Sequence, residues 1–169
     1  MIYFITGGER SGKSSFAQKL AEELSDAPCY IATARIWDDD FKKRVERHQS
    51  VRDEKWTTIE EEKHIGELDL NGKTAVIDCV TLWLTNFFTD TKANVDESLK
   101  LAKEQLDKLA KQDGTFIIIS NELGMGVHAA TESGRKFVEL QGWVNQYIAA
   151  MADNVYLMIS GIPVKIKQD

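Results

Sequence analysis

With 169 residues, 43% of them hydrophobic, the chain is long enough to bury one substantial core and too short to call for a second independent domain. Its 27 acidic against 21 basic residues leave a net charge of -6, which argues against a broad electrostatic attraction to nucleic acid or to an anionic membrane. No apolar run approaches a membrane span and the N-terminus does not read as a secretory leader, so one cytoplasmic domain over residues 1–169 is expected.

The apolar run Ile2–Thr6 reads as a buried strand that passes directly into a glycine turn. Lys13–Leu24 follows with Phe16, Ala17, Leu20, Ala21 and Leu24 at helical spacing. After Pro28, one of two prolines, Cys29–Ala32 reads as a second strand. Asp38–Leu70 is the least regular and most charged stretch, carries two of the three histidines, and is where specificity would be built on a sheet scaffold. Asp69-Leu70-Asn71-Gly72 precedes a strand and reads as a turn, and Thr74–Asp78 is that strand. Val95–Lys111 is amphipathic through Leu99, Ala102, Leu106 and Leu109. Phe116–Ser120 forms another strand, Ser133–Met151 a third helix through Phe137, Leu140, Val144, Ile148 and Met151, and Val155–Ile159 a fifth strand. Strand and helix alternate, which predicts a mostly parallel sheet with helices on both faces. Cys29 and Cys79 lie in apolar runs that read as buried strands, where a thiol packs as a small hydrophobe, and no structural metal site is indicated.

Between the first strand and the first helix stands Gly7-Gly8-Glu9-Arg10-Ser11-Gly12-Lys13-Ser14, a full G-x-x-x-x-G-K-[ST] in strand–loop–helix context. The glycines let backbone N–H groups wrap phosphates, and the helix start adds its positive dipole end. Lys13 offers a cation to the β- and γ-phosphates of ATP or GTP, and the Ser14 hydroxyl a ligand to Mg²⁺. The expected fold is therefore a P-loop NTPase fold. Asp78, closing Val76-Ile77-Asp78, suits the second metal-facing position, with an ordinary strand-end aspartate as the plain alternative. Glu122 ends another strand and competes for a metal or water role.

A switch GTPase would need N-K-x-D to read guanine, and the chain lacks it. Small size and acidity disfavour a nucleic-acid motor, leaving small-molecule phosphoryl transfer. If Trp37–His48 is helical, Trp37, Phe41, Val45 and His48 share a sector of about 80° at 100° per residue, so His48 faces the protein body. A packed or capping histidine is the ordinary reading of such a position. Arg47 and Arg52 flank it, however, and suit a phosphorylated group, while roughly three quarters of unperturbed imidazoles are neutral at pH 7 and free to attack phosphorus.

These residues carry a resemblance. Thr6–Ser14, Tyr30–Ala34, Arg44 through His48 with Arg52 and Trp56, Asp78–Thr81, Asn121-Glu122-Leu123-Gly124-Met125-Gly126 after Ser120, Gly142 with Asn145-Gln146, and Ser160–Pro163 match in order across nearly the whole chain. In them the chain resembles the bifunctional adenosylcobinamide kinase / adenosylcobinamide-phosphate guanylyltransferase family of cobalamin biosynthesis. The resemblance implies phosphorylation of adenosylcobinamide by ATP or GTP. GMP is then transferred from GTP to adenosylcobinamide phosphate, with His48 as the guanylylated residue. It also places Ala32, Thr33, Ala34, Gln49, Ser50, Val51, Arg52, Glu60 and Asp78 at nucleotide contacts, and it suggests a homo-oligomer, a trimer. Glu60 could accept from a guanine edge or be a solvated charge in Glu60-Glu61-Glu62; His64 and His128 match no role and read as surface residues. Val127-His128-Ala129-Ala130-Thr131 lacks the proline that commonly follows the family's last glycine here. A single-activity P-loop kinase of another small alcohol is the alternative reading.

Overall fold

The computed structural model describes residues 1–35 and 54–168. Seven strands form one sheet: β1 (Ile2–Gly7), β2 (Cys29–Ala32), β3 (Thr57–Glu60), β4 (Thr74–Asp78), β5 (Thr115–Asn121), β6 (Asn154–Ile159) and β7 (Ile162–Gln168). Their order across the sheet is β3-β2-β4-β5-β1-β6-β7. All neighbours run parallel except the β6–β7 hairpin at one edge. Among the described residues four α-helices connect them: α1 (Lys13–Leu24), α2 (Val80–Asp90), α3 (Val95–Ala110) and α4 (Glu132–Met151). None of the described helices is long and apolar enough to cross a membrane.

The near-continuous apolar runs of β1, β4 and β5 are explained by burial on both faces. Ile2 and Phe4 of β1, with Ile77 and Ile118, pack against Trp83, Leu84 and Phe87 of α2, Leu106 and Leu109 of α3, and Leu140, Val144 and Ile148 of α4. Ile5, Val76, Ile117 and Ile119 point the other way onto Ala17 and Ala21, whose small side chains let α1 lie close to the sheet. Each large apolar side chain so buried contributes about 1.5–3 kcal/mol before entropy is counted. Helix starts follow local chemistry: the Asn94 side chain accepts from the Glu97 amide at 3.1 Å to cap α3, and Thr131 caps α4 through the Gly134 amide at 3.0 Å.

The five expected strands and the three helices expected within the described residues are present, with ends shifted by a residue or so. Three elements go beyond the sequence reading. β3, Thr-Thr-Ile-Glu, is a short edge strand with three exposed residues, and its pairing with β2 supplies the order that its composition does not signal. β7 alternates Ile162, Val164 and Ile166, but at an edge with these side chains exposed. α2 has apolar or aromatic residues around much of its surface, which blurs helical periodicity. Cys79 is buried as expected but lies just past β4, as the residue that opens α2, rather than inside the strand. The expected turn is centred on Asn71–Gly72, closed by the Lys73 amide on the Leu70 carbonyl at 3.1 Å, with Gly72 at φ +70°.

Candidate functional site

Register sets the site's location. Gly7, the last residue of β1, lies between Asn121 of β5 and Met158 of β6, so the phosphate loop leaves the carboxyl edge of the sheet at its centre. A Cβ on Gly7 would come within 2.6 Å of the Met158 carbonyl oxygen, and Gly12 adopts φ +94° immediately before α1. Only glycine fits both demands, one of close approach and one of left-handed backbone. The turn between β6 and β7 braces the loop from outside, the Gly161 amide donating to the Ser11 carbonyl at 2.9 Å. Having no side chain to cap the helix, Gly12 leaves the first-turn amides of α1 facing the loop, a disposition suited to phosphate.

Lys13 and Ser14 project from that first turn. The Lys13 ammonium folds back to donate to the Gly8 carbonyl at 2.6 Å, and the residue is only 8% exposed. Burial lowers its pKa, and the nearby Glu9, Cys79 and Asp78 oppose that shift. Ser14 Oγ donates to Asp78 Oδ2 at 2.8 Å, and the Tyr30 hydroxyl donates to the same oxygen at 2.8 Å. Asp78 is thus held by two hydroxyls, one from the phosphate loop and one from the neighbouring strand. A hydroxyl and a carboxylate, both hard oxygen donors, fit Mg²⁺ in the usual nucleotide arrangement, where phosphates and water complete the shell. Glu122 turns elsewhere: its carboxylate accepts from the Gly124 amide at 2.7 Å, so the carboxylate joined to Ser14 is that of Asp78. The Cys79 thiol beside it is pushed up to about 12, first by burial and then by Asp78, and stays protonated.

Further along the carboxyl edge, Asp78, Ala32 and Glu60 form one row, since Ala32 pairs with both. The Thr33 amide donates to the Asp78 carbonyl at 3.2 Å, and its hydroxyl to the Cys79 carbonyl at 2.9 Å. Buried Asn86 of α2 donates to the Thr33 and Glu62 carbonyls at 2.8 and 2.9 Å, tying together the chain segments that leave β2 and β3. Arg35 continues the same device, with Nε on Glu62 at 2.6 Å and its two terminal nitrogens on Asp90 at 3.0 and 3.2 Å. Lys63 also reaches Asp90, at 2.8 Å, and the hydrogen bonds from Arg35 and Lys63 hold the Asp90 carboxyl well below the usual range.

The structure therefore brings Gly7–Ser14, Ala32–Ala34, Asp78 and Glu60 to one edge of the sheet, with Glu60 exposed. His48, Gln49, Ser50, Val51 and Arg52, together with the helix expected over Trp37–His48, lie outside the described residues. His64 and His128 are exposed. Sequence reasoning did not assign Tyr30, Asn86, Arg35 or Asp90, because each acts through partners 24 to 55 residues away. The signal available for Tyr30 was a polar-tipped aromatic in a strand two residues before Ala32.

A replacement of Asp78 by Asn keeps an acceptor for Ser14 and Tyr30 but removes the charge. Asp78→Asn is expected to lower Mg²⁺-dependent turnover by about a hundredfold while changing metal-free nucleotide affinity far less. Rates equal to wild type across a Mg²⁺ titration would reduce Asp78 to an ordinary strand end and make Glu122 the better candidate.

Comparison with known proteins agrees with this geometry. A family model described as cobinamide kinase / cobinamide phosphate guanyltransferase matches residues 3–166. The bifunctional adenosylcobalamin biosynthesis protein CobU of Escherichia coli (strain K12) is 37% identical over 182 residues, covering 99% of this chain and 100% of that protein. Its counterpart CobP of Pseudomonas aeruginosa is 35% identical over 170 residues, covering 96% of this chain and 95% of the relative. A solved structure of Project ID PH0250 from Pyrococcus horikoshii OT3 aligns with a TM-score of 0.56 at 8% identity, over 99% of this chain and 86% of that one, a likeness of fold alone. The glycine loop, the carboxylate tied to it and a match running almost end to end agree: the chain belongs to the cobinamide kinase / cobinamide phosphate guanyltransferase family.

Proposed function

We propose that this enzyme phosphorylates adenosylcobinamide with ATP or GTP and then transfers GMP from GTP to the resulting phosphate, giving adenosylcobinamide-GDP and pyrophosphate. The observation that supports both steps sharing one nucleotide site is the Ser14–Asp78 hydrogen bond. It joins the phosphate loop to the strand-end carboxylate at the carboxyl edge of the sheet. In the first step the substrate hydroxyl displaces the β-phosphate oxygen from the γ-phosphorus, while Lys13 and the loop amides hold the oxygens on which charge collects. Ser14 and Asp78 would hold Mg²⁺, which would supply neutralisation and orientation of the phosphate oxygens.

In the second step His48 is the nucleophile. Its neutral imidazole nitrogen bonds the α-phosphorus of GTP, the bond to the β-phosphate bridge breaks, and pyrophosphate departs. The phosphate of adenosylcobinamide phosphate then attacks the same phosphorus and releases the imidazole, so each half is an in-line displacement. Ala32, Thr33, Ala34, Gln49, Ser50, Val51, Arg52 and Glu60 are assigned to the nucleotide, with Glu60 accepting from the guanine edge. The row of Glu60, Ala32 and Asp78 supports the assignment of Ala32 and Glu60. We assign one domain over residues 1–169, a cytoplasmic setting and a homotrimer. The exposed Ile162, Val164 and Ile166 on edge strand β7 favour self-association, which light scattering would check.

Mixing the protein with GTP and Mg²⁺ should add the mass of one GMP, and cobinamide phosphate should discharge it with formation of cobinamide-GDP. Phosphorylation of cobinamide with no GMP ever attached would leave only the kinase half standing.

A further inference from the structure

Three polar side chains interrupt the apolar contact between α4 and β5. Ser120 is 0%, Gln141 1% and Asn145 8% exposed, among Leu140, Val144, Ile148 and Ile118. Such groups are costly to bury unless bonded, and they are bonded to one another, with Gln141 Oε1 left without a partner. Gln141 Nε2 donates to Ser120 Oγ at 2.7 Å and to Asn145 Oδ1 at 3.1 Å, while Ser120 Oγ donates to Asn145 Oδ1 at 2.6 Å. With its oxygen so occupied, the Asn145 amide nitrogen is directed outward and donates to the carbonyl of Asn121 at 3.2 Å.

That carbonyl belongs to the peptide unit joining Asn121 to Glu122, and the other end of the same planar unit is the Glu122 N–H, which donates to the Gly7 carbonyl at 3.0 Å. The peptide is therefore gripped at both ends, by α4 on one side and by the first glycine of the phosphate loop on the other. The Asn121 amide on the preceding unit is fixed by Thr81 Oγ1 of α2 at 3.2 Å. We propose that Asn145 is a positioning residue for phosphoryl and guanylyl transfer: through the Asn121–Glu122 peptide it fixes the plane of the hydrogen bond that anchors Gly7, and with it the entry of the phosphate loop. Ser120 and Gln141 aim Asn145, Ser120 adding only a long contact of 3.4 Å to the same Asn121 carbonyl. The inference rests on Gly7–Ser14 being the phosphate site, since a shift at Gly7 matters to rate only if that loop holds the reacting phosphates.

The test compares Asn145→Ala and Asn145→Leu with Ser120→Ala in the full-length enzyme. The leucine variant keeps the branched outline and the number of heavy atoms, which offers a second folded protein if the alanine variant is too loosely packed. In both Asn145 variants kcat for each transfer should fall by about tenfold to a hundredfold with KM for the nucleotide within about threefold. Exchange of the Glu122 amide with deuterated solvent, measured on the resting enzyme, should quicken by about tenfold or more. Ser120→Ala, which leaves Gln141 to hold the Asn145 oxygen, should keep kcat within about threefold even though it breaks the same buried network. Equal loss of kcat in Ser120→Ala and Asn145→Leu would show a general packing effect and overturn the proposal, as would unchanged exchange at Glu122. A wild-type enzyme that fails to bind GTP would instead overturn the phosphate-site reading, so the two failures are distinguishable.

Discussion

Replacing His48 with Ala is expected to abolish GMP transfer and leave phosphorylation of adenosylcobinamide near its wild-type rate. Phosphoryl transfer to a hydroxyl needs positioning and charge stabilisation, supplied by the loop, Lys13 and the Ser14–Asp78 pair, and none of these depends on the imidazole. Guanylyl transfer through an enzyme-bound intermediate has no other assigned nucleophile. His64 and His128 are exposed and match no role, and the nearby Cys79 thiol is kept protonated by burial. The wild-type adduct should be acid-labile and alkali-stable, as a phosphoramidate is, and peptide mapping should find it on His48. An adduct surviving in His48→Ala, or mapping to His64 or His128, would sink the assignment.

Lys13→Ala should remove both activities, each by about a thousandfold or more, because the same ammonium neutralises phosphate charge in both displacements. Separate assays of the two reactions would expose any exception, and near-normal rates in either would end the shared-site model. The lysine also carries a folding penalty. Its folded pKa lies below the ordinary value, so the charged form is disfavoured in the native protein. The cost is full at pH values below the folded pKa and fades as pH rises toward the ordinary lysine value. Lys13→Met, which keeps the aliphatic stem without the charge, should therefore melt no lower than wild type at neutral pH when nucleotide is absent. A marked drop in Tm would show that the bond to the Gly8 carbonyl outweighs desolvation.

The phosphate loop was legible because its chemistry is local: eight consecutive residues carry the turn, the cation and the hydroxyl. The central strands were legible because burial on both faces writes apolar runs such as Phe116–Ile119 into the chain. β3 was not, since an exposed edge strand borrows its order from β2. The Asp78 carboxylate could be picked out as a strand end, but Tyr30 as its second donor could not. That contact depends on β2 and β4 lying side by side across 48 residues of sequence. The Ser120–Gln141–Asn145 cluster shows the same limit: each residue sits at an inward helix or strand position where pattern reading expects an apolar side chain.

The order in which the chain is made bears on all of this. β1 is synthesised early yet lies between β5 and β6, and the loop that follows it is braced by the amide of Gly161. A nascent chain can form α1 and expose the whole Gly7–Ser14 segment, but it cannot build the loop's final shape until translation has passed the β6–β7 turn. Until β5 and then β6 have emerged, the hydrogen-bonding edges of β1 stay unpaired and open to association with other chains. Acquisition of nucleotide binding should therefore be a late event in biosynthesis, and a chain stalled before Gly161 should be retained by chaperones rather than accumulate as a partly active enzyme.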